Sequence, residues 1–200
     1  MHAAEQDTDR VKKLRQEFWE VIRTFDWNNL VFVDESGVNI AMTRLYARAL
    51  KGKRAHGARP DKRGKNVTVI GAIALRGIVG AMTFKGGTDK IAFQTYIEQV
   101  LVPNLWKGAC VVMDNFSSHK VAGIQEAIEA VGAHLVYLSP YSPDFSPIEN
   151  CWSKMKEFLR SIAARTYEDL DKAITEAFET VNLSDIIGWF KHCGYCIASK

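Results

Sequence analysis

Residues 109–114 read ACVVMD, five apolar residues closed by an aspartate. A run this short and this apolar fits a strand covered on both faces, the kind that parallel sheets bury. Moving outward, residues 119–131 carry Ile124, Ala127, Ile128 and Val131 at helical spacing, and Gly132 closes them. Residues 134–138 form another apolar run. Strand, helix, strand is the repeating unit of a parallel sheet. On the other side, residues 30–34 read LVFVD, the same pattern of apolar run and carboxylate. Residues 66–75, NVTVIGAIAL, are rich in β-branched residues and predict a long strand. Arg76-Gly77 offers a two-residue turn, with residues 78–84 returning. Residues 38–46 predict one further strand. The order of elements implies an α/β fold, a mixed sheet with helices on its faces, with parallel pairing among the runs near 30, 109 and 134.

Helices fill the rest. Leu14, Phe18, Val21, Ile22 and Phe25 predict an amphipathic helix over 11–25. Thr88 is a candidate N-cap for a helix reaching residue 102, with Phe93, Ile97, Val100 and Leu101 facing inward. Three of the five prolines fall in SPYSPDFSP, residues 139–147, which predicts a rigid extended loop. Helices then follow over 147–163, 166–181 and 184–192.

The chain has 200 residues, 47% hydrophobic and 24% charged, the mix of an ordered globular domain. No apolar run approaches the roughly 20 residues that span a bilayer. The first residues, MHAAEQDTDRVKK, lack the apolar core of a secretory signal, so a cytoplasmic location is expected. The net charge of +3 is unevenly spread. Residues 44–65 hold nine basic residues against one acid, Asp61, a local charge of +8 that leaves −5 on the remainder. Such a stretch fits contact with a phosphate backbone, and it equally fits a solvated loop.

Asp34 and Asp114 both close apolar runs, and a charge there is costly unless paired or bound to a metal. On adjacent parallel strands they would share one sheet edge, where open α/β sheets bind ligands. Glu149 is the third acid. Ser146-Pro147-Ile148-Glu149 reads as a helix start, so Glu149 either closes a capping box or is presented by the proline loop to the two aspartates. Three carboxylates together would repel unless divalent cations lie between them, and oxygen-only ligation selects Mg²⁺ or Mn²⁺. Two such ions would stabilise both oxygens of a phosphodiester displacement.

Other residues have blander readings. Glu35 should point away from Asp34 by strand alternation, and Asp144 belongs to the loop. Trp152 and Met155 read as core. His192, Cys193 and Cys196 invite zinc, but a structural site needs four ligands, and Cys110 and Cys151 stand alone. We read them as reduced cysteines at a packed helix end.

VFVDESG around Asp34, VVMDNFSSHK around Asp114 and PYSPDFSPIENCWSKMK around Glu149 resemble the DDE transposases of the mariner-type superfamily. The nearest branch is the bacterial insertion-sequence 630 family. Thirty-four residues separate Asp114 from Glu149, the spacing of that superfamily, and the resemblance covers residues 30–195. It implies a ribonuclease H-like fold, a mixed five-stranded sheet flanked by helices. It implies cut-and-paste transposition by metal-dependent phosphodiester hydrolysis and 3′-OH strand transfer. Asp34, Asp114 and Glu149 become the metal-binding catalytic triad, holding two Mg²⁺ ions with Mn²⁺ as substitute. His119, five residues after Asp114, fits a hydrogen bond to bound water or phosphate and equally fits a surface residue starting the next helix, and Asn115 is a further candidate for the first role. The basic loop, with Arg48, Lys51, Lys53, Arg54, Arg59, Lys62, Arg63 and Lys65, becomes a contact to transposon-end DNA or to a second subunit. The implied partner is double-stranded DNA, transposon ends and a TA target, bound by a homodimer, with no membrane and no small-molecule substrate.

Two departures stand out. Many relatives carry Asn before the proline of the SPIE stretch, where this chain has Ser146. Relatives also begin with about a hundred residues of helix-turn-helix modules. We therefore expect a catalytic-domain product, with residues 1–29 as a linker-helix remnant, 30–163 as the catalytic domain and 164–200 as helices packed on it. Two other functions stay open on this reading, an inactive DNA-binding or dimerising regulator and a structure-selective nuclease of the same fold.

Overall fold

The computed structural model describes residues 4–115 and 123–195. Five strands form one sheet: β1 (Leu30–Val38), β2 (Val67–Ala74), β3 (Gly77–Lys85), β4 (Cys110–Met113) and β5 (His134–Tyr137). Their order across the sheet is β3-β2-β1-β4-β5. β1, β2 and β3 run antiparallel in sequence, while β1, β4 and β5 are parallel. Among the described residues six α-helices flank the sheet: α1 (Asp9–Ile22), α2 (Lys90–Tyr96), α3 (Ile124–Ala130), α4 (Ile148–Ile162), α5 (Tyr167–Glu179) and α6 (Leu183–His192). No helix among the described residues is long and apolar enough to cross a membrane.

Strand alternation splits the core in two. Leu30, Phe32, Cys110 and Val112 pack with Phe18 and Ile22 of α1 and with Ile148, Trp152 and Met155 of α4. Residues of α5 and α6, such as Ile174 and Phe190, close that side. Val31, Val33, Val111 and Met113 point the other way, against Phe93 and Tyr96 of α2 and Ile124 and Ile128 of α3. In α4 the buried positions Ile148, Cys151, Trp152, Met155 and Leu159 fall on one helical stripe.

Several local expectations are corrected. Residues 38–46 do not form a separate strand. β1 continues through Asp34 to Val38, because Asp34 to Val38 pair with Gly71 to Val67 of β2. Residues 39–66 then contain neither helix nor strand. The hairpin turn falls on Leu75-Arg76, one residue early, with Ala74 paired to Gly77. Thr88 does not cap α2: Asp89 does, accepting from the Ala92 N–H at 2.8 Å, because the Thr88 hydroxyl is drawn off to the Glu35 carboxylate. The helix from there to residue 104 is not uniform. It widens into a π turn at Ile97–Leu101 and tightens to a 3-10 turn at Val102–Asn104, where Pro103 stops it. α1 begins and ends earlier than its periodicity suggests, and Val21 is 48% exposed.

Candidate active site

The sheet sets the first two carboxylates side by side. β1 and β4 are in register at Leu30 with Cys110, Val31 with Val111 and Phe32 with Val112. The ladder ends there, and two residues further along each chain come Asp34 and Asp114. Alternation places both on the face of Phe32 and Val112, the face that α4 covers. The expectation that both aspartates end their strands holds for Asp114, which follows the last residue of β4. Asp34 instead lies within the nine residues of β1, opposite Gly71 of β2.

Glu149 arrives from the start of α4. Ser146 was the expected N-cap, but α4 has no side-chain cap at all. The Glu149 N–H reaches the Ser146 carbonyl at 3.2 Å, a tight backbone turn enforced by Pro147. No capping box forms, so the Glu149 carboxylate is not used up at the helix end. Asp34, Asp114 and Glu149 all line one cavity of about 390 Å³. Val33, Asn115 and the proline loop from Leu138 to Pro143 complete its wall.

The electrostatics of this cavity are those of crowded carboxylates. Burial is the main force on Asp34 and raises its carboxyl from the ordinary value to about 7, with Glu149 and Asp114 pushing the same way. The Glu35 N–H and the Trp152 indole N–H oppose that rise. Glu149 is exposed at the cavity mouth, yet partial desolvation raises its carboxyl too, against Lys156 and with Asp114. The three carboxylates offer oxygen donors only, which fits a hard divalent cation in kind. Among the described residues, no three His, Cys, Asp or Glu side chains stand close enough to share one ion.

Three residues in this region escaped sequence reasoning as contributors. Trp152 is only 2% exposed, as a core residue should be, yet its indole N–H donates to Asp34 Oδ2 at 2.8 Å. Its i, i+3 spacing from Glu149 is the only signal the sequence carries. Arg15 of α1 braces the proline loop, donating to Asp144 at 2.6 and 3.0 Å and to Ser142 Oγ at 2.8 Å. Its guanidinium also lies 3.9 Å from the centre of the Phe145 ring. Gln6 adds a bond to the Tyr141 carbonyl at 3.1 Å. That support matches a local strain, since Tyr141 sits at φ 56° in the left-handed region. Asp144 is thereby a structural acid; its hydrogen bonds from Arg15 hold it below the ordinary carboxylate value. Glu35 accepts from Thr88 on the opposite face of β1, away from the cavity.

The basic loop lies elsewhere. All eight expected cationic side chains, Arg48, Lys51, Lys53, Arg54, Arg59, Lys62, Arg63 and Lys65, are exposed, and none lines the carboxylate cavity. The loop is tied down at its ends. Arg165 donates to the carbonyls of Ile40 and Met42 at 3.0 Å, and the Tyr167 hydroxyl accepts from the Lys65 N–H at 2.6 Å. Between these anchors Leu45, Tyr46 and Leu50 are also exposed. His119 and Cys196 lie outside the described residues. Cys110, Cys151 and Cys193 are buried free thiols.

Comparison with known proteins adds identity to this geometry. Residues 29–171 match the family described as DDE superfamily endonuclease. No curated protein matches the chain. Among solved structures, the Mos1 transposase paired-end complex with left transposon end is similar, with a TM-score of 0.76 at 19% identity over 93% of this chain. The Mos1 paired-end complex with Mn matches with a TM-score of 0.73 at 18% identity over 93% of this chain. This chain spans 60% and 61% of the Mos1 chains in those complexes. The isolated catalytic domain of Mos1 mariner transposase matches with a TM-score of 0.67 at 15% identity, covering 98% of this chain and 92% of that one. The chain belongs to the DDE superfamily endonucleases, and its mixed five-stranded sheet is the ribonuclease H-like fold of a DDE transposase catalytic domain.

Proposed function

We propose that this protein cuts DNA phosphodiester bonds and joins the freed 3′-OH ends to target DNA, as a cut-and-paste transposase of the insertion-sequence 630 branch. The observation that carries this reading is the meeting of Asp34, Asp114 and Glu149 at one cavity in a chain of a DDE endonuclease family. In this reading the three carboxylates would be divided over two ions to a site, Mg²⁺ or Mn²⁺ as substitute, with no ion held by all three at the described spacing. Bound there, the ions supply Lewis-acid stabilisation of the attacking and leaving oxygens of an in-line displacement.

The chain's own residues do the positioning. Asp34 lies in β1 and Asp114 directly follows β4, its hydrogen-bonded neighbour, so the sheet backbone positions both. Glu149 approaches from a helix whose other end is anchored in the core by Met155 and Leu159. The proline loop walls one side of the cavity and limits water around Asp34, which strengthens every charge interaction inside it. Asn115, at the same wall, and His119 hydrogen-bond phosphate or water. The cationic loop binds the DNA backbone without reading its sequence.

The names of the similar structures support this: Mos1 complexes hold a transposon end, and others are described with Mn or with Mg. A homodimer on DNA, a TA target and a place in the bacterial cytoplasm belong to the same reading. The test is a joining assay with precut DNA bearing a free 3′-OH, a target plasmid and Mn²⁺. We expect joined product from wild type and none from Asp114→Asn. Cleavage of branched substrates without any joining would instead make the protein a structure-selective nuclease.

A further inference from the structure

Asp34 has an unusual neighbour for a carboxylate facing a cavity of acids. Its Oδ2 accepts a 2.8 Å hydrogen bond from an indole N–H, and that indole is buried to 2% exposure. An indole has one donor and no acceptor, so the bond it makes has a single sense. The donor reaches Asp34 from α4, the same helix that supplies Glu149 three residues earlier. One helical face therefore delivers both an acid and a hydrogen-bond donor to the neighbouring acid.

The sheet is cut to receive this ring. Gly71 pairs with Asp34 across β1 and β2. A Cβ at Gly71 would stand 2.8 Å from Trp152 Cη2, closer than atoms can approach. Every other residue of β2 is a side-chain-bearing residue, and β2 is buried along its whole length. The gap at Gly71 is thus where the outer edge of the indole lies against the sheet while its N–H reaches the next strand. Phe178 of α5 supports the ring edge-on, with centroids 6.3 Å apart.

We infer that Trp152 is a positioning residue, which holds the Asp34 carboxylate by one oxygen in the orientation that the cavity's divalent cation requires, with Gly71 making room for it. The inference rests on the reading of this cavity as a cation site. A carboxylate on a short side chain rotates about χ2 with little resistance. Tying Oδ2 to a ring locked by packing removes that freedom, as hydrogen bonds to ligating carboxylates do elsewhere. The bond also satisfies a carboxylate oxygen that the protein interior keeps from water.

The test uses the full chain as wild type, Trp152→Phe, Gly71→Ala and Asp34→Asn. Calorimetric titration with Mn²⁺ alone, without DNA, reads affinity. Trp152→Phe keeps an aromatic ring and loses the donor; it is expected to weaken Mn²⁺ binding roughly 10–100-fold. Gly71→Ala keeps the donor and displaces the ring, and the same direction is expected. A second readout is the indole N–H resonance of Trp152, one of five tryptophans, identified by its absence in Trp152→Phe. It is expected to shift when Mg²⁺ is added to wild type and to lose that response in Asp34→Asn. A role confined to packing would move neither readout. If Asp34→Asn loses Mn²⁺ binding while Trp152→Phe binds as wild type does, the inference is wrong and the cation site stands. If Asp34→Asn binds Mn²⁺ normally, the cation site itself is wrong and the inference goes with it. Should Trp152→Phe not fold, an unchanged indole resonance on Mg²⁺ addition, assigned through Asp34→Asn, still overturns the inference.

Discussion

Asp34 is where burial and charge oppose each other most strongly. Its carboxyl is raised to about 7 in the folded chain from 3.8 when unfolded, so the folded state holds a proton that the unfolded state has released across that interval. Stability therefore falls as pH rises from about 4 to about 7. Asp34→Asn removes the penalty while its amide oxygen can still accept from Trp152. We expect the variant to exceed wild type by on the order of 1–4 kcal/mol above pH 7, and to match it near pH 4, in urea unfolding without metal. A divalent cation should offset the same penalty, so Mg²⁺ is expected to raise the wild-type melting temperature more at pH 8 than at pH 5. The meeting of the three acids at one cavity was legible in part, because Asp34 and Asp114 each follow an apolar run and Glu149 follows the Ser146-Pro147 helix start. Trp152 was legible only as an inward position. Periodicity says which way a side chain faces and says nothing of what stands opposite. The extension of β1 past Asp34 was hidden for a related reason. A carboxylate looked like a strand end, although Ser36 and Val38 resume the buried alternation two residues on.

At the scale of elements, the wall of the cavity depends on α1. Arg15 holds the proline loop through Asp144, Ser142 and the face of Phe145, and its own side chain is 18% exposed. Arg15→Ala is expected to cost about 1–2 kcal/mol, less than a buried pair would, because the Asp144 side chain is 52% exposed. The sign for Asp144 is opposite to that for Asp34. Its lowered value contributes stability that is complete above the ordinary carboxylate range and is lost as pH falls through its folded value. Deeper in the same layer, Leu159→Ala should cost about 2–5 kcal/mol, read as a lower urea midpoint with an unchanged slope. The helices α4, α5 and α6 were legible from apolar spacing, since their faces bury against one sheet. The Arg15 brace was not, because it joins residues 127 and 129 positions apart. Such a bond follows from packing α1 on the sheet and has no local signature.

Over the whole molecule, positive charge and the acidic cavity occupy different places. The loop of residues 44–65 carries +8 on a body of −5. It is anchored by Arg165 and Tyr167 at the α4–α5 corner, and the carboxylates open at the β1–β4 edge. On the proposed function, a duplex touching both would have to reach from one to the other. Replacing Lys51, Lys53, Arg54 and Lys62 by Gln should weaken duplex binding at every sequence. For each phosphate no longer neutralised, the slope of log affinity against log salt should shrink by roughly 0.9. Mn²⁺ binding should be unaffected. Parallel pairing was legible where a helix connects two apolar runs, though the order of the strands was not. The path of the basic segment was not legible, since its few apolar residues, Leu45, Tyr46 and Leu50, stay exposed and the chain is held by its two anchors. The most direct test is nicking of supercoiled plasmid with Mn²⁺, by wild type and by Asp114→Asn purified alongside it. Nicked circles are expected from wild type and none from Asp114→Asn at equal folded content. Equal nicking by both proteins would contradict the assignment, because the cut would then not depend on the carboxylates that line this cavity.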